Sequence, residues 1–129
     1  MANLISLKTF TDKRGNLTVI DRVLPFAIER VFYIYGVDDS RRGGHRHHMT
    51  KQAAICIQGS CTIYNDNGHL EETFDLSSPD KCLLLEPEDW HVMYDFSPDA
   101  ILMVFASEPF DAADYIYEPY SESYLKRFI

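Results

Sequence analysis

The sequence predicts an all-β protein, a barrel or jelly roll with a short C-terminal helix. Three observations carry that prediction. Short runs rich in β-branched and aromatic residues recur through the chain. Turn-forming residues separate them at the spacing of sandwiches and barrels. Only Ser121 to Phe128 has helical periodicity, with Tyr124, Leu125 and Phe128 on one side.

The elements follow in order. Leu4 to Phe10 alternates apolar and polar residues and reads as a first strand. Asp12 to Asn16 is a turn, after which Leu17 to Ile20 is extended again. Arg30 to Tyr35 has the aromatic and β-branched character of a strand. Asp38 to Gly44 is a charged loop ending in glycine. Gln52 to Ile57 and Ser60 to Asn65 flank Gln58-Gly59, which reads as a tight hairpin. Asn67-Gly68 marks a turn, because both residues tolerate positive φ. His69 to Leu76, Lys81 to Leu85, Trp90 to Phe96 and Ala100 to Ala106 complete the set. No linker, repeat or low-complexity tract divides the chain, so one domain over residues 1–129 is expected.

Composition narrows the function classes. The chain has 129 residues, 46% of them hydrophobic, enough for one packed core. The formal net charge of -8 argues against nucleic-acid binding, which needs a cationic face. A phosphate ligand remains compatible, since a few local arginines suffice. The odd set Cys56, Cys61 and Cys82 makes neither a disulfide framework nor a zinc motif, so buried free thiols are expected. No secretory signal and no apolar run of about 18 residues is visible, so the expected location is the cytoplasm, away from membranes.

The most informative segment is Arg41-Arg42-Gly43-Gly44-His45-Arg46-His47-His48. Side chains at i and i+2 of an extended chain point the same way, which puts His45 and His47 on one face. Three readings compete. The pair are metal ligands of the cupin type, with His91 as the distant histidine; the carboxylate expected beside them is then Gln52, a neutral and weak ligand. They are packed, hydrogen-bonded residues. Or they are an acid/base pair, for which imidazole is suited near neutral pH. The third is preferred, with no metal and no cofactor. Arg14, Arg30 and Arg42 are candidate phosphate contacts. Tyr33, Gln52, His91 and Tyr94 are further candidates to line the site.

Taken together, the chain resembles the sugar nucleotide 3,4-ketoisomerase family of cupins. The resemblance rests on Asp12-x-Arg14-Gly15, Pro25-Phe26-x-Ile28-x-Arg30-Val31-Phe32-Tyr33-Ile34 and Arg42-Gly43-x-His45-x-His47. It continues through Gln52 to Gly59-Ser60-Cys61, Trp90-His91-x-Met93-x-Asp95-Phe96-Ser97, Ala106-Ser107 and Asp114-Tyr115-Ile116. It implies a metal-free jelly roll that moves the keto group of dTDP-4-keto-6-deoxyglucose from C4 to C3. His45 and His47 are then the catalytic pair. It also implies a homodimer with exchanged N-terminal strands, and a place in deoxysugar biosynthesis that supplies 3-amino-3,6-dideoxy sugars, as for lipopolysaccharide O-antigen. Alternatives on the same scaffold are a 3,5-epimerase, a metal-dependent cupin enzyme and a non-catalytic sensor.

Overall fold

The computed structural model describes residues 1–120. Twelve strands are found among them: β1 (Asn3–Ser6), β2 (Lys8–Asp12), β3 (Gly15–Val19), β4 (Arg30–Tyr35), β5 (Arg42–His47), β6 (Gln52–Gln58), β7 (Cys61–Asp66), β8 (Glu71–Leu76), β9 (Lys81–Leu85), β10 (Trp90–Tyr94), β11 (Ile101–Ala106) and β12 (Tyr115–Ile116). One five-stranded sheet has the order β1-β9-β6-β11-β4, and a second has the order β12-β5-β10-β7-β8. A separate hairpin joins β2 and β3. Every pairing is antiparallel, as in the jelly roll expected from the sequence. The expected C-terminal helix at 121–128 lies outside the described residues. The one helical turn within them is a 3₁₀ turn at Ala112–Asp114.

The two large sheets face each other across the main core. Ala54, Cys56, Leu83, Leu102 and Val104 of one sheet pack with Cys61, Ile63, Leu76 and Met93 of the other. Strict alternation makes this possible, since β11 turns Leu102, Val104 and Ala106 inward. Cys56, Cys61 and Cys82 are buried free thiols. A second cluster covers the outer face of the first sheet, where Leu24 and Phe26 of the β3–β4 connection pack on Ala53 and Ile55.

Three local readings need correction. Gln58-Gly59 does not close a hairpin: β6 and β7 belong to different sheets, and the turn carries the chain between them. Gly59 has φ +70, and a Cβ there would lie 2.9 Å from Ala100 Cα, so the crossing needs glycine. Leu4 to Phe10 is two strands broken at buried Leu7, not one. The loop before the histidines ends at Arg41, because Arg42, Gly43 and Gly44 already belong to β5.

Candidate active site

At one end of the barrel interior the apolar core gives way to polar side chains. On the first sheet Arg30 pairs with Ala106, Ala106 with Gln52 and Gln52 with Leu85. On the second sheet Asn65 pairs with His91 and His91 with His45, while His47 pairs with Tyr115. Alternation places each of these one step along the same inward face as a core residue. Gln52 precedes Ala54, and His91 precedes Met93.

The histidine strand reaches this position through a bulge. Met93 pairs with Arg42 and Val92 with Gly43, yet His91 pairs with His45, so Gly44 is extra. Gly43 and Gly44 have φ +88 and +79, and a Cβ on Gly43 would lie 2.9 Å from the His91 carbonyl oxygen. Only glycine fits that approach. The extra residue shifts the parity of β5, which brings exposed Arg42 onto the face of the sheet that carries His45.

The imidazoles of His45 and His47 lie 4.9 Å apart between ring centres. His91 is 5.0 Å from His45 and 6.3 Å from His47. Backbone bonds hold the frame: His47 N donates to Pro87 O at 2.8 Å, and His48 N donates to Asp114 O at 3.0 Å. All three imidazoles are held near pKa 4. Burial is the main cause in each, and the neighbouring imidazoles add to it. Arg30 pushes His47 further down, while Asp114 opposes this. The cluster is therefore neutral at pH 7 and able to accept a proton. His91 Nδ1 lies 3.1 Å from the Asp89 carbonyl oxygen. That oxygen can only accept, so Nδ1 carries the hydrogen and Nε2 is left as a lone pair. His47 Nε2, His91 Nε2 and Gln52 Oε1 are buried without a hydrogen-bond partner among the described residues.

The remaining candidates divide. Arg30 borders the site, with its guanidinium 4.6 Å from the Phe32 ring and 5.3 Å from the Phe110 ring. Tyr33 does not line it: Tyr33 is three residues from Arg30, so it faces the outside of β4 and stacks on Tyr35. Tyr94 is likewise three residues from His91 and packs outside with Tyr64, Trp90 and Val92. Within one chain both placements follow from the two-residue period of a strand, which puts i and i+3 on opposite faces. Arg14 sits at the tip of the β2–β3 hairpin, its side chain 84% exposed and paired with Asp12 at 2.6 Å. That hairpin pairs with neither large sheet, so within one chain Arg14 is not brought to the histidines.

One site residue escaped the sequence reading. Tyr115 packs against both His45 and His47, at 4.6 and 4.8 Å between ring centres. Its strand has only two residues, too short for any periodicity, and the Asp114-Tyr115-Ile116 motif was its one signal. No three His, Cys, Asp or Glu side chains among the described residues are arranged to hold a metal ion.

Residues 1–127 match the family model described as "WxcM-like, C-terminal" (FdtA). The chain belongs to that family. It is 39% identical over 116 residues to the TDP-4-oxo-6-deoxy-alpha-D-glucose-3,4-oxoisomerase of Aneurinibacillus thermoaerophilus, covering 88% of this chain and 84% of that one. Among solved structures it is similar to QdtA, a sugar 3,4-ketoisomerase from Thermoanaerobacterium thermosaccharolyticum in complex with TDP. That match has TM-score 0.88 and 38% identity, covering 99% of this chain and 97% of the other. The WlaRB TDP-quinovose 3,4-ketoisomerase of Campylobacter jejuni superposes with TM-score 0.87 at 36% identity, over 91% of this chain and 92% of its own. These two matches cover 99% and 91% of this chain, so the polar barrel end lies within the matched part of the fold.

Proposed function

We infer that the chain is a sugar nucleotide 3,4-ketoisomerase acting on dTDP-4-keto-6-deoxyglucose. The carrying observation is the pair His45 and His47, 4.9 Å apart on one inward face beside His91 at the polar end of the barrel. The 4-ketone acidifies the C3 proton. A neutral imidazole accepts that proton, giving an enediol. The C2-side skeleton is untouched: the new C–H bond forms at C4, and the hydroxyl proton passes from O3 to O4, leaving the ketone at C3. One of His45 and His47 handles the carbon proton and the other the oxygen proton. Their pKa values near 4 keep both in the accepting form at neutral pH. Arg30, Arg42 and Gln52 are assigned to orient the sugar and stabilise the developing oxyanion, and His91, with its lone pair at Nε2, to accept from a sugar hydroxyl. No metal or cofactor is needed for this chemistry.

The homodimer belongs to the same reading. The β2–β3 hairpin leaves Phe10 and Leu17 53% and 58% exposed, an arm suited to a second copy of the chain. Exchange of the arm is what the family resemblance implies, and it is the route by which Arg14 reaches a diphosphate. No helix among the described residues is long and apolar enough to cross a membrane. A cytoplasmic location fits a substrate made and used there.

The deciding experiment is NMR of dTDP-4-keto-6-deoxyglucose incubated with the protein in deuterated water. The expected product is the 3-ketone carrying solvent-derived deuterium at C4, formed equally well in chelator. Label at C5 with the 4-ketone retained means an epimerase. Loss of activity to chelator means a metal enzyme, and binding without turnover means a sensor.

A further inference from the structure

We propose that Tyr115, held by an Asp114 clamp, is the positioning residue that sets the orientation of both imidazoles. The observations come from the short strand β12 at the edge of the second sheet. Tyr115 pairs directly with His47 and Ile116 with Arg46. Its ring is tilted 43° to His45 at 4.6 Å and set edge-on at 71° to His47 at 4.8 Å. One side chain thus touches both imidazoles, which lie on consecutive inward positions of β5. Phe110 at 5.6 Å and Tyr117 at 6.1 Å flank it and limit its own rotation.

A two-residue strand has little hold on a sheet by itself. The hold comes from the residue before it. The Asp114 carboxylate accepts from Met49 N at 2.8 Å, from Thr50 N at 3.3 Å and from the Thr50 hydroxyl. Its carbonyl accepts from His48 N. Asp114 therefore fastens β12 to the chain leaving β5, on the far side of His47 from His45. These bonds anchor the strand through the carboxylate, whose charge also acts directly on His47 and raises its pKa. Aromatic contacts of this kind are individually modest in energy. Proton transfer is steep in geometry, and an error of about 1 Å costs on the order of 10²-fold. A modest contact energy is then enough to matter.

This inference rests on the isomerase reading for its kinetic arm but not for its spectroscopic arm. Four chains are compared: parent, Tyr115→Phe, Tyr115→Leu and Asp114→Asn, each checked by thermal melt. Tyr115→Phe keeps the ring and is expected to retain parental kcat. Tyr115→Leu is expected to lower kcat by about 10–100-fold with KM little changed. Asp114→Asn should fall between. Imidazole proton NMR is followed against pH. His45 and His47 face His91 of β10, Arg30 of β4, Asp114, and the rings of Tyr115 and Tyr117. Removing the Tyr115 ring should move both titrations upward while His91 stays in place. Parental kcat and unmoved titrations in Tyr115→Leu overturn the proposal. So does a loss in Tyr115→Phe as large as in Tyr115→Leu, since the hydroxyl and not the ring would then be the active part. If the parent lacks isomerase activity, the titrations alone decide, and unmoved titrations again overturn it.

Discussion

The two ends of the barrel interior are built by the same strands and are opposite in chemistry. β4 supplies Phe32 to the apolar end and Arg30 to the polar one. β6 supplies Ala54 and Gln52, and β10 supplies Met93 and His91. Each pair is one pleat apart on the same face. The apolar end is satisfied by packing alone. The polar end carries four buried atoms without partners among the described residues: His47 Nε2, His91 Nε2, Gln52 Oε1 and Asn65 Oδ1. Such an atom costs about 1–3 kcal/mol. Four together are comparable to the whole stability of an ordinary domain, about 5–15 kcal/mol. A chain shaped for stability alone would fill that row with Val or Leu. The difference teaches that one pleat of the barrel is kept for chemistry, supported by the packing of the next.

The contrast can be broken from either side. Asparagine at His45 or His47 should lower turnover by about 10²–10⁴-fold while the melting temperature barely falls. Steady-state kinetics beside thermal melts measure both, and unchanged turnover in both variants removes the catalytic assignment. At the apolar end the pattern should invert. Leu102 is fully buried, and Leu102→Ala should cost roughly 2–5 kcal/mol by denaturant titration. The folded fraction should turn over substrate nearly as the parent does.

Acid sharpens the comparison, because only one end titrates. The three imidazoles have folded pKa values near 4, below the unfolded value of 6.5. Between those values the unfolded chain binds more protons, so stability falls as pH drops from 6.5 toward 4 and is fully present above 6.5. Melts at pH 7.5 and pH 5 should show this drop, and His47→Asn should reduce it. A flat profile in the parent would mean that the histidines are not shielded. The smallest effect belongs to the outer face: Tyr33→Phe and Tyr94→Phe should leave kcat within about twofold, since one lost exposed hydroxyl contact is worth only about 0.5 kcal/mol. A large loss in either would place that tyrosine against substrate, which within one chain its face does not allow.

The strands were largely legible because alternation of apolar and polar residues is a local signal. Arg30 to Tyr35 and Lys81 to Leu85 have the bounds read from the sequence. The histidine pair was legible for the same reason. Errors arose where the outcome depended on a partner strand. Tyr33 and Tyr94 are the exception: the two-residue period, itself local, sets them opposite Arg30 and His91 within one chain. Arg42 went the other way: simple alternation sets it opposite His45, and the bulge at Gly44 restores it. Gln58-Gly59 has hairpin composition, yet the choice between hairpin and crossing is made by which sheet captures β7. Tyr115 reaches the histidines through the long-range anchor from Asp114 to Thr50, which no periodicity announces.

The pairing of β5 with β10 has a consequence for how the molecule assembles. All of β6, β7, β8 and β9 lies between these two strands in the chain. His45 and His91 cannot meet by local zippering; the intervening chain must first be gathered, and contacts of that kind slow folding toward the millisecond-to-second range. The chain's single tryptophan, Trp90, adjoins His91 on β10. Its emission during refolding would time the moment at which the histidine cluster comes into being.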